Sequence, residues 1–504
     1  MKIILIRAPS IIGASASTAP ICPPVGLAYL KAVINRFTDD CLVIDPIGNL
    51  PQIRPMKDHK KCMLLGQSLE ELIERVPSDS ELILVSIMFS QDWPYAREFL
   101  KALRKKAPQA KILAGGEHVT ALPEYSMKES SEIDLCVLGE GELVLEELLS
   151  KYAFSKSLPQ DLPGTCVRIA GEIKKNPRRE LIKDINVLPW PDWNDFPLEN
   201  YLAGGHGFGV NLGRSMPILA SRGCPYQCTF CSSHTMWTTA WRVRTPENVV
   251  EEMAYYIKKY KVTNFDFYDL TFVIKKDWIV QFCELLIAKG WDTTWQLPSG
   301  TRSEVIDRQV AALLYRAGCR NLSYAPESGS EEVLKMIKKK INLSDMLSSM
   351  SACAGEGLSV KANIVCGFPG ETWQHLLQTY FFILKAGWTG MDDLSINQFS
   401  PYPGSELFDF LIEKGEVKLN GEYFEHLSSY ASMTTAHSYS EHLSNRDILI
   451  FKHLGTLGFY GVSFLRRPWK LLRVIRNIFK GNETSRLEKT LLSYLKRFRQ
   501  EPAS

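Results

Sequence analysis

Ser221-Arg-Gly-Cys-Pro-Tyr-Gln-Cys-Thr-Phe-Cys-Ser-Ser-His234 places three thiols, Cys224, Cys228 and Cys231, within eight residues. Four thiolates ordinarily fill a cubane cluster, so three on one short loop point to a four-iron, four-sulfur (4Fe-4S) cluster with one iron open to another ligand. The alternative is zinc, which wants four ligands in two close pairs, and only His234 stands nearby as a fourth. Gly223 and Pro225 supply the tight backbone that a loop curling round a cluster needs. Pro217-Ile-Leu-Ala220 reads as the strand that delivers the loop.

Working outward, 504 residues at 45% hydrophobic and 23% charged are too many for one ordinary core, so two to three domains are expected. A net charge of +3 is close to neutral and gives no reason to favour a nucleic-acid partner. Twelve cysteines in so long a chain are no disulfide framework, and a cluster-ligating trio implies a reducing, cytoplasmic compartment. The opening Met1-Lys-Ile-Ile-Leu-Ile-Arg is too short an apolar run for a secretory signal and reads as a first strand. The longest uncharged apolar stretch, Leu454 to Leu465, is shorter than a bilayer requires.

Towards the N-terminus, strand-like runs at Lys2 to Arg7, Cys41 to Asp45, Leu82 to Phe89, Ala110 to Ala114 and Leu135 to Leu138 alternate with helical stretches such as Pro23 to Ile34 and Tyr95 to Lys106. Alternation of this kind predicts a doubly wound parallel sheet covered by helices on both faces, with ligands at the carboxyl ends of its strands. Three such ends carry small or turn residues: Ser86 to Ser90, Gly115-Gly-Glu-His-Val-Thr120 and Gly139-Glu-Gly-Glu142. Each alone could be a tight turn, but glycine there also lets backbone approach a ligand. Residues 151–200 read as a linker, with Leu188-Pro-Trp-Pro-Asp-Trp-Asn-Asp-Phe-Pro197 as a strap whose tryptophans anchor by packing.

Beyond the cysteine loop, βα units recur with strands at Asn264 to Tyr268, Thr294 to Leu297, Asn321 to Ala325, Ser359 to Cys366 and Asp393 to Phe399. With the strand before the loop these make six, a partial barrel whose chemistry should lie at the strand C-termini. The expected domains are 1–150, a linker 151–200, a barrel 201–425 and a helical region 426–504.

The Cys-x3-Cys-x2-Cys spacing, the preceding Ser221-Arg-Gly and the strand leading in resemble the radical S-adenosylmethionine (SAM) enzymes. The glycine-loaded strand ends ahead of it resemble the cobalamin-binding domain of one subgroup, which includes methylases and the anaerobic magnesium-protoporphyrin ester cyclase. That resemblance implies a 4Fe-4S cluster on Cys224, Cys228 and Cys231, whose open iron chelates the amino and carboxylate groups of SAM. One electron, from a donor such as flavodoxin or ferredoxin, then releases a 5'-deoxyadenosyl radical that takes hydrogen from unactivated carbon. It implies cobalamin contacts from Ser86, Ser90, Gly115, Gly116, Thr120, Gly139, Glu140 and Gly141. It implies SAM contacts from Asp269 in Asp269-Leu-Thr-Phe, Glu327 and Ser328 in Pro326-Glu-Ser-Gly-Ser330, and Gly367 and Pro369 in Val365-Cys-Gly-Phe-Pro-Gly-Glu-Thr372, with Ser400-Pro-Tyr-Pro-Gly-Ser405 closing the sixth strand. A carboxylate suits a ribose diol because it accepts two hydrogen bonds at once. The Asp-x-His-x-x-Gly triplet of many cobalamin domains is missing, since Asp58-His59 has the wrong spacing. Cobalt should therefore carry no histidine, and His118 reads as a surface residue or a contact to the cofactor's tail.

The favoured reaction is cobalamin-dependent methyl transfer to unactivated carbon of a small molecule. An oxidative cyclase or other carbon-skeleton enzyme of the same subgroup, a methylthiotransferase and a non-catalytic cobalamin-binding regulator are the alternatives. Methylthiotransferases hold a second cluster on three N-terminal cysteines, and Cys22, Cys41, Cys62, Cys136 and Cys166 form no tight trio. A regulator has no use for an oxygen-sensitive cluster. Cys283, Cys319, Cys353 and Cys366 read as buried small hydrophobes.

The last stretch is less expected. In residues 466–480, basic residues interleave with an apolar stripe of Trp469, Leu472, Val474, Ile475, Ile478 and Phe479. This is an amphipathic basic helix, either packed on the barrel with its basic face in water or lying at the inner membrane surface near a lipophilic substrate.

Overall fold

The computed structural model describes every residue except 15–20, 57–61, 302–303, 486, 493–494 and 496–504; Asp58-His59 lies outside the described residues. Ile3, Ile4, Leu5 and Ile6 are all fully buried, as a strand covered on both faces requires. That strand, Ile3–Arg7, pairs in parallel with Cys41–Ile44 on one side and Leu82–Ser86 on the other. The sheet continues through Lys111–Gly115 and Leu135–Val137, both parallel. Helices Val25–Ile34, Trp93–Lys106 and Gly141–Ser155 cover it.

The stretch expected as a linker departs from that reading. Thr165–Ile169 and Glu172–Lys175 add two antiparallel strands to the same sheet, making it seven-stranded, and helix Gly141–Ser155 runs past residue 150. The hairpin was disguised because its outer strand, Glu172-Ile-Lys-Lys175, is nearly all charged, which is how an exposed sheet edge avoids pairing with another chain. Only past Lys175 does the strap run as expected: Trp193 is buried and its indole N–H donates to Tyr256 Oη at 3.2 Å. A small sheet of Ser10–Gly13, Cys62–Leu65 and Ile53–Pro55 has no counterpart in the sequence reading.

The barrel strands Ser215–Ile218, Asn264–Phe267, Thr294–Thr301, Cys319–Glu327, Ser359–Cys366 and Asp393–Gln398 lie side by side in sequence order, all parallel. This is the open (β/α)6 arrangement. Thr245 and Asp307 cap Pro246–Tyr260 and Arg308–Arg316 through their side-chain oxygens. A helix Leu343–Gly355 joins the outer layer unforeseen.

Behind the last strands come Gly421–Ser428, Asn445–Arg466 and Pro468–Lys480. Asn445–Arg466 extends well beyond the uncharged stretch that marks it in the sequence. By length and composition it is long enough and apolar enough to cross a membrane. It packs along Trp373–Thr389, burying Ile448, Phe451 and Phe459, and its buried Lys452 ammonium donates to Ser432 O.

Candidate functional site

Strand Ser215–Ile218 delivers the cysteine loop, whose root Ser221–Arg222 pairs with Arg242–Val243. Gly223 sits at φ +85°, and a Cβ there would lie 2.1 Å from Ala240 O, so no other residue fits. Cys224 Sγ lies 3.4 Å from Thr271 Oγ1, and the amide of Cys231 donates to Cys228 O at 3.1 Å, closing the turn. Burial first, and then Cys228, Glu117 and Cys224, where negative charge would repel a thiolate, push the Cys231 thiol up to about 12 against the opposing amide of Ser233. The three thiols stand together at this turn. They remain partly accessible, whereas Cys41, Cys62, Cys136, Cys166, Cys283, Cys319, Cys353 and Cys366 are buried. The donor set fits a cluster that needs three ligands from the chain.

Asp269 stands beneath this loop. Its carboxylate accepts the amides of Ala220 (3.2 Å) and Ser221 and the Ser221 hydroxyl, and burial raises its pKa to about 6. Both oxygens are thus committed to the root of the loop, so Asp269 steadies the cysteines from below.

The other strand ends behave differently. Glu327 has φ +64°, a left-handed backbone that costs a non-glycine residue about 1 kcal/mol or more and persists where the surroundings enforce it. Its carboxylate pairs with Lys339 Nζ at 2.9 Å. The Ser328 hydroxyl is fully buried, 3.0 Å from Thr379 Oγ1, so it braces the turn. Gly367 is left-handed at φ +87°, and Pro369 is half-buried in the turn after it. Sequence reasoning passed over Glu371. One carboxylate oxygen accepts the amides of Gly367 and Phe368, the other is buried with no hydrogen-bond partner, and burial lifts the group to about 7. An acid four residues after a glycine, in an otherwise uncharged turn, was the available signal.

Across from these lies the glycine-loaded rim of the first sheet. Ser86 and Gly115 are register partners at neighbouring strand ends. Gly116, at φ +109°, passes so close to Ile87 that a Cβ would sit 2.4 Å from its carbonyl oxygen. Thr120 Oγ1 accepts the amide of Gly139 at 3.0 Å, locking two of the turns together, and Gly141 starts the next helix against Leu30. Ser90 Oγ lies 3.0 Å from His118 Nδ1. His118 is no surface residue: it is 1% exposed, stacked on Trp93 with centroids 4.7 Å apart, and burial pulls its pKa down to about 3. A neutral imidazole suits that apolar slot.

Glu140 is engaged as a strut. Its oxygens accept from Arg222 (3.0 Å), Arg242 (2.7 Å) and the amide of Ile182 (3.0 Å), while Glu142 takes the other arm of Arg222 at 2.5 Å. Arg222, Glu140 and Glu142 are buried and Arg242 nearly so, and Arg222 lies between the rings of Tyr29 and Trp237. What this turn can offer a ligand is its backbone rather than the Glu140 carboxylate. Glu117 adds a second tie, accepting from Ser232 just after Cys231, and Thr235 donates to Gly404 O at 2.5 Å. The rim of the sheet and the cysteine loop therefore face each other across one interface.

Residues 218–383 match the radical SAM superfamily, and residues 11–149 match the B12 binding domain. The chain thus carries a radical SAM domain and, ahead of it, a B12-binding domain. Its cofactors are accordingly a 4Fe-4S cluster, SAM and cobalamin. It is 28% identical to an uncharacterized methyltransferase of Pyrococcus horikoshii, over 82% of this chain and 83% of that one. It is 26% identical to the anaerobic magnesium-protoporphyrin IX monomethyl ester cyclase of Cereibacter sphaeroides, over 83% of this chain and 64% of that one. In fold it is similar to the radical SAM methyltransferase TsrM of Kitasatospora setae, solved with cobalamin and a 4Fe-4S cluster bound: 15% identity, 92% and 91% coverage, TM-score 0.65.

Proposed function

We propose that this enzyme methylates an unactivated carbon of a small molecule, in the cytoplasm and with an electron donor of the flavodoxin or ferredoxin type. When bound, the cluster and SAM supply a carbon-centred radical and cobalamin supplies the methyl group. The observation that carries the reading is the interface itself, where the glycine rim of the first sheet and the cysteine loop of the barrel are fastened face to face by Arg222, Glu140 and Glu142. Cys224, Cys228 and Cys231 would hold the cluster. The turns at Gly116 and Gly139 would let backbone approach cobalamin, with Ser86, Ser90, Gly115, Thr120 and Gly141 building those turns. The left-handed turns at Glu327 and Gly367 would border SAM. Asp269 and Glu371 act through backbone amides: each carboxylate fixes a loop and keeps its N–H groups from turning to water.

A cyclase reading has its own support in the 26% identity to the ester cyclase. The two separate by product. Anaerobically reconstituted enzyme, supplied with methyl-labelled SAM and candidate substrates, should release deoxyadenosine together with a product heavier by one labelled methyl group. Deoxyadenosine with a product lighter by hydrogens and carrying no label would replace methyl transfer with ring closure.

A further inference from the structure

The helix Pro468–Lys480 turns its basic side, not its apolar stripe, towards the barrel. Lys470 and Asn477 are buried, and Lys470 Nζ donates to Gly390 O (2.5 Å) and Met391 O (3.1 Å) and pairs with Asp392 at 3.0 Å. Arg473 joins the same Asp392 at 3.0 Å, and Arg467 donates to the carbonyls of Thr389 and Gly390. The barrel thus takes up the basic face. Of the apolar stripe only Val474 is buried, while Trp469, Leu472, Ile475 and Phe479 point outward, Phe479 at 87% exposure. On a helix turning about 100° per residue, Leu472, Ile475 and Phe479 fall within a sector of about 60°, with Lys470 and Asn477 opposite.

The neighbouring helices carry outward apolar rows as well. Leu454, Leu457 and Leu465 form an outward row on Asn445–Arg466, with Leu465 at 84% exposure, and Leu377, Phe381 and Trp388 form another on the helix packed against it. Arg466 lies over the Trp388 ring at 5.0 Å, joining the two rows beside Trp469. Exposed apolar surface of this kind marks a contact site. Its charge says which kind. From Ile448 to Asn482 there is no acidic residue, and the cations Arg466, Arg476 and Lys480 are exposed around the apolar rows.

We propose that this C-terminal face docks the enzyme on an anionic phospholipid surface, with Leu472, Ile475 and Phe479 entering the acyl boundary, Trp469 at its edge and Arg466, Arg476 and Lys480 on headgroups. It does not depend on which reaction the barrel performs. Full-length protein is tested by sedimentation with vesicles of phosphatidylglycerol and phosphatidylcholine and with phosphatidylcholine alone. Wild type should pellet with the anionic vesicles at low salt, not with the neutral ones, and release as salt is raised. Leu472→Glu with Phe479→Glu should reduce partitioning at least tenfold, and Arg476→Gln and Lys480→Gln about fivefold each. Both sets change exposed side chains, so unchanged melting and iron content serve as the folding control. Equal pelleting of wild type and the glutamate variant, or pelleting of neither, overturns the proposal. So does a wild-type dimer in sedimentation velocity that the glutamate variant dissociates without any vesicle binding, which would make this face an interface between copies of the chain.

Discussion

Replacing Arg222 by methionine isolates what the ion-pair clamp contributes. Methionine keeps an unbranched stem between Tyr29 and Trp237 and removes only the charge. Glu140 retains Arg242 at 2.7 Å, so Glu142 alone is stranded, 8% exposed and without its partner. Removing one member of a buried pair costs about 3 to 5 kcal/mol, and with half of the network intact the lower end, about 3 kcal/mol, applies. The pH dependence carries a sign. In wild type, burial pushes the Glu142 pKa up but Arg222 outweighs it, leaving the group below its usual value of 4.5. A lowered folded pKa stabilises above 4.5 and is lost as pH falls. In Arg222→Met burial is opposed only by the group's own backbone hydrogen bond and by Arg242, so the pKa rises and protonation relieves the stranded charge. The deficit should therefore be largest near pH 8 and shrink towards pH 5, and adding Glu142→Gln should recover most of it. Anaerobic urea unfolding of the reconstituted protein at both pH values, compared at equal m, measures this. An Arg222→Met protein within about 1 kcal/mol of wild type at pH 8, or one that Glu142→Gln does not rescue, would refute the reasoning.

Three further outcomes are expected. Alanine at Cys224, Cys228 or Cys231 should remove iron, sulfide and SAM cleavage together, and a single variant keeping full iron would remove that cysteine from the ligand set. Gly223→Ala leaves all three thiols but drives a Cβ into Ala240 O, so thermal stability and iron retention should both fall; unchanged values would mean that the loop can reroute. Glu371, raised from 4.5 to about 7 by burial, favours the folded state at acid pH and loses that contribution as pH climbs through this window, about 3 kcal/mol in all. In Glu371→Gln that part of the decline should vanish, and parallel stability-versus-pH curves for the two proteins would contradict it.

The cysteine loop and the βα alternation were legible because both are local: three thiols in eight residues, and apolar runs one strand long. The hairpin at residues 165–175 was hidden by its own edge protection, since Glu172, Lys174 and Lys175 read as solvent-facing loop. At the site, residue types were legible and their partners were not. The resemblance of their segments implies cofactor contacts for Asp269 and Glu140, and only the fold shows backbone amides and Arg222 already holding them. His118 looked superficial because its slot is built by Trp93 and by Phe424, some three hundred residues further along. At the C-terminal helix the pattern showed the stripe but not which face packs. An amphipathic stripe says which side chains share a face, while the carbonyls and carboxylate waiting at Gly390, Met391 and Asp392 decide which face turns inward.

The hairpin Thr165–Ile169 and Glu172–Lys175 also limits how this molecule can be divided. It returns after helix Gly141–Ser155 to cover the bare backbone edge of Leu135–Val137. A fragment ending at residue 150 would cut that helix and leave an apolar parallel strand with unpaired N–H and C=O groups, a template for stacking copies edge to edge. Excision of the cobalamin half, or its transplantation onto another barrel, has to keep the chain through Lys175.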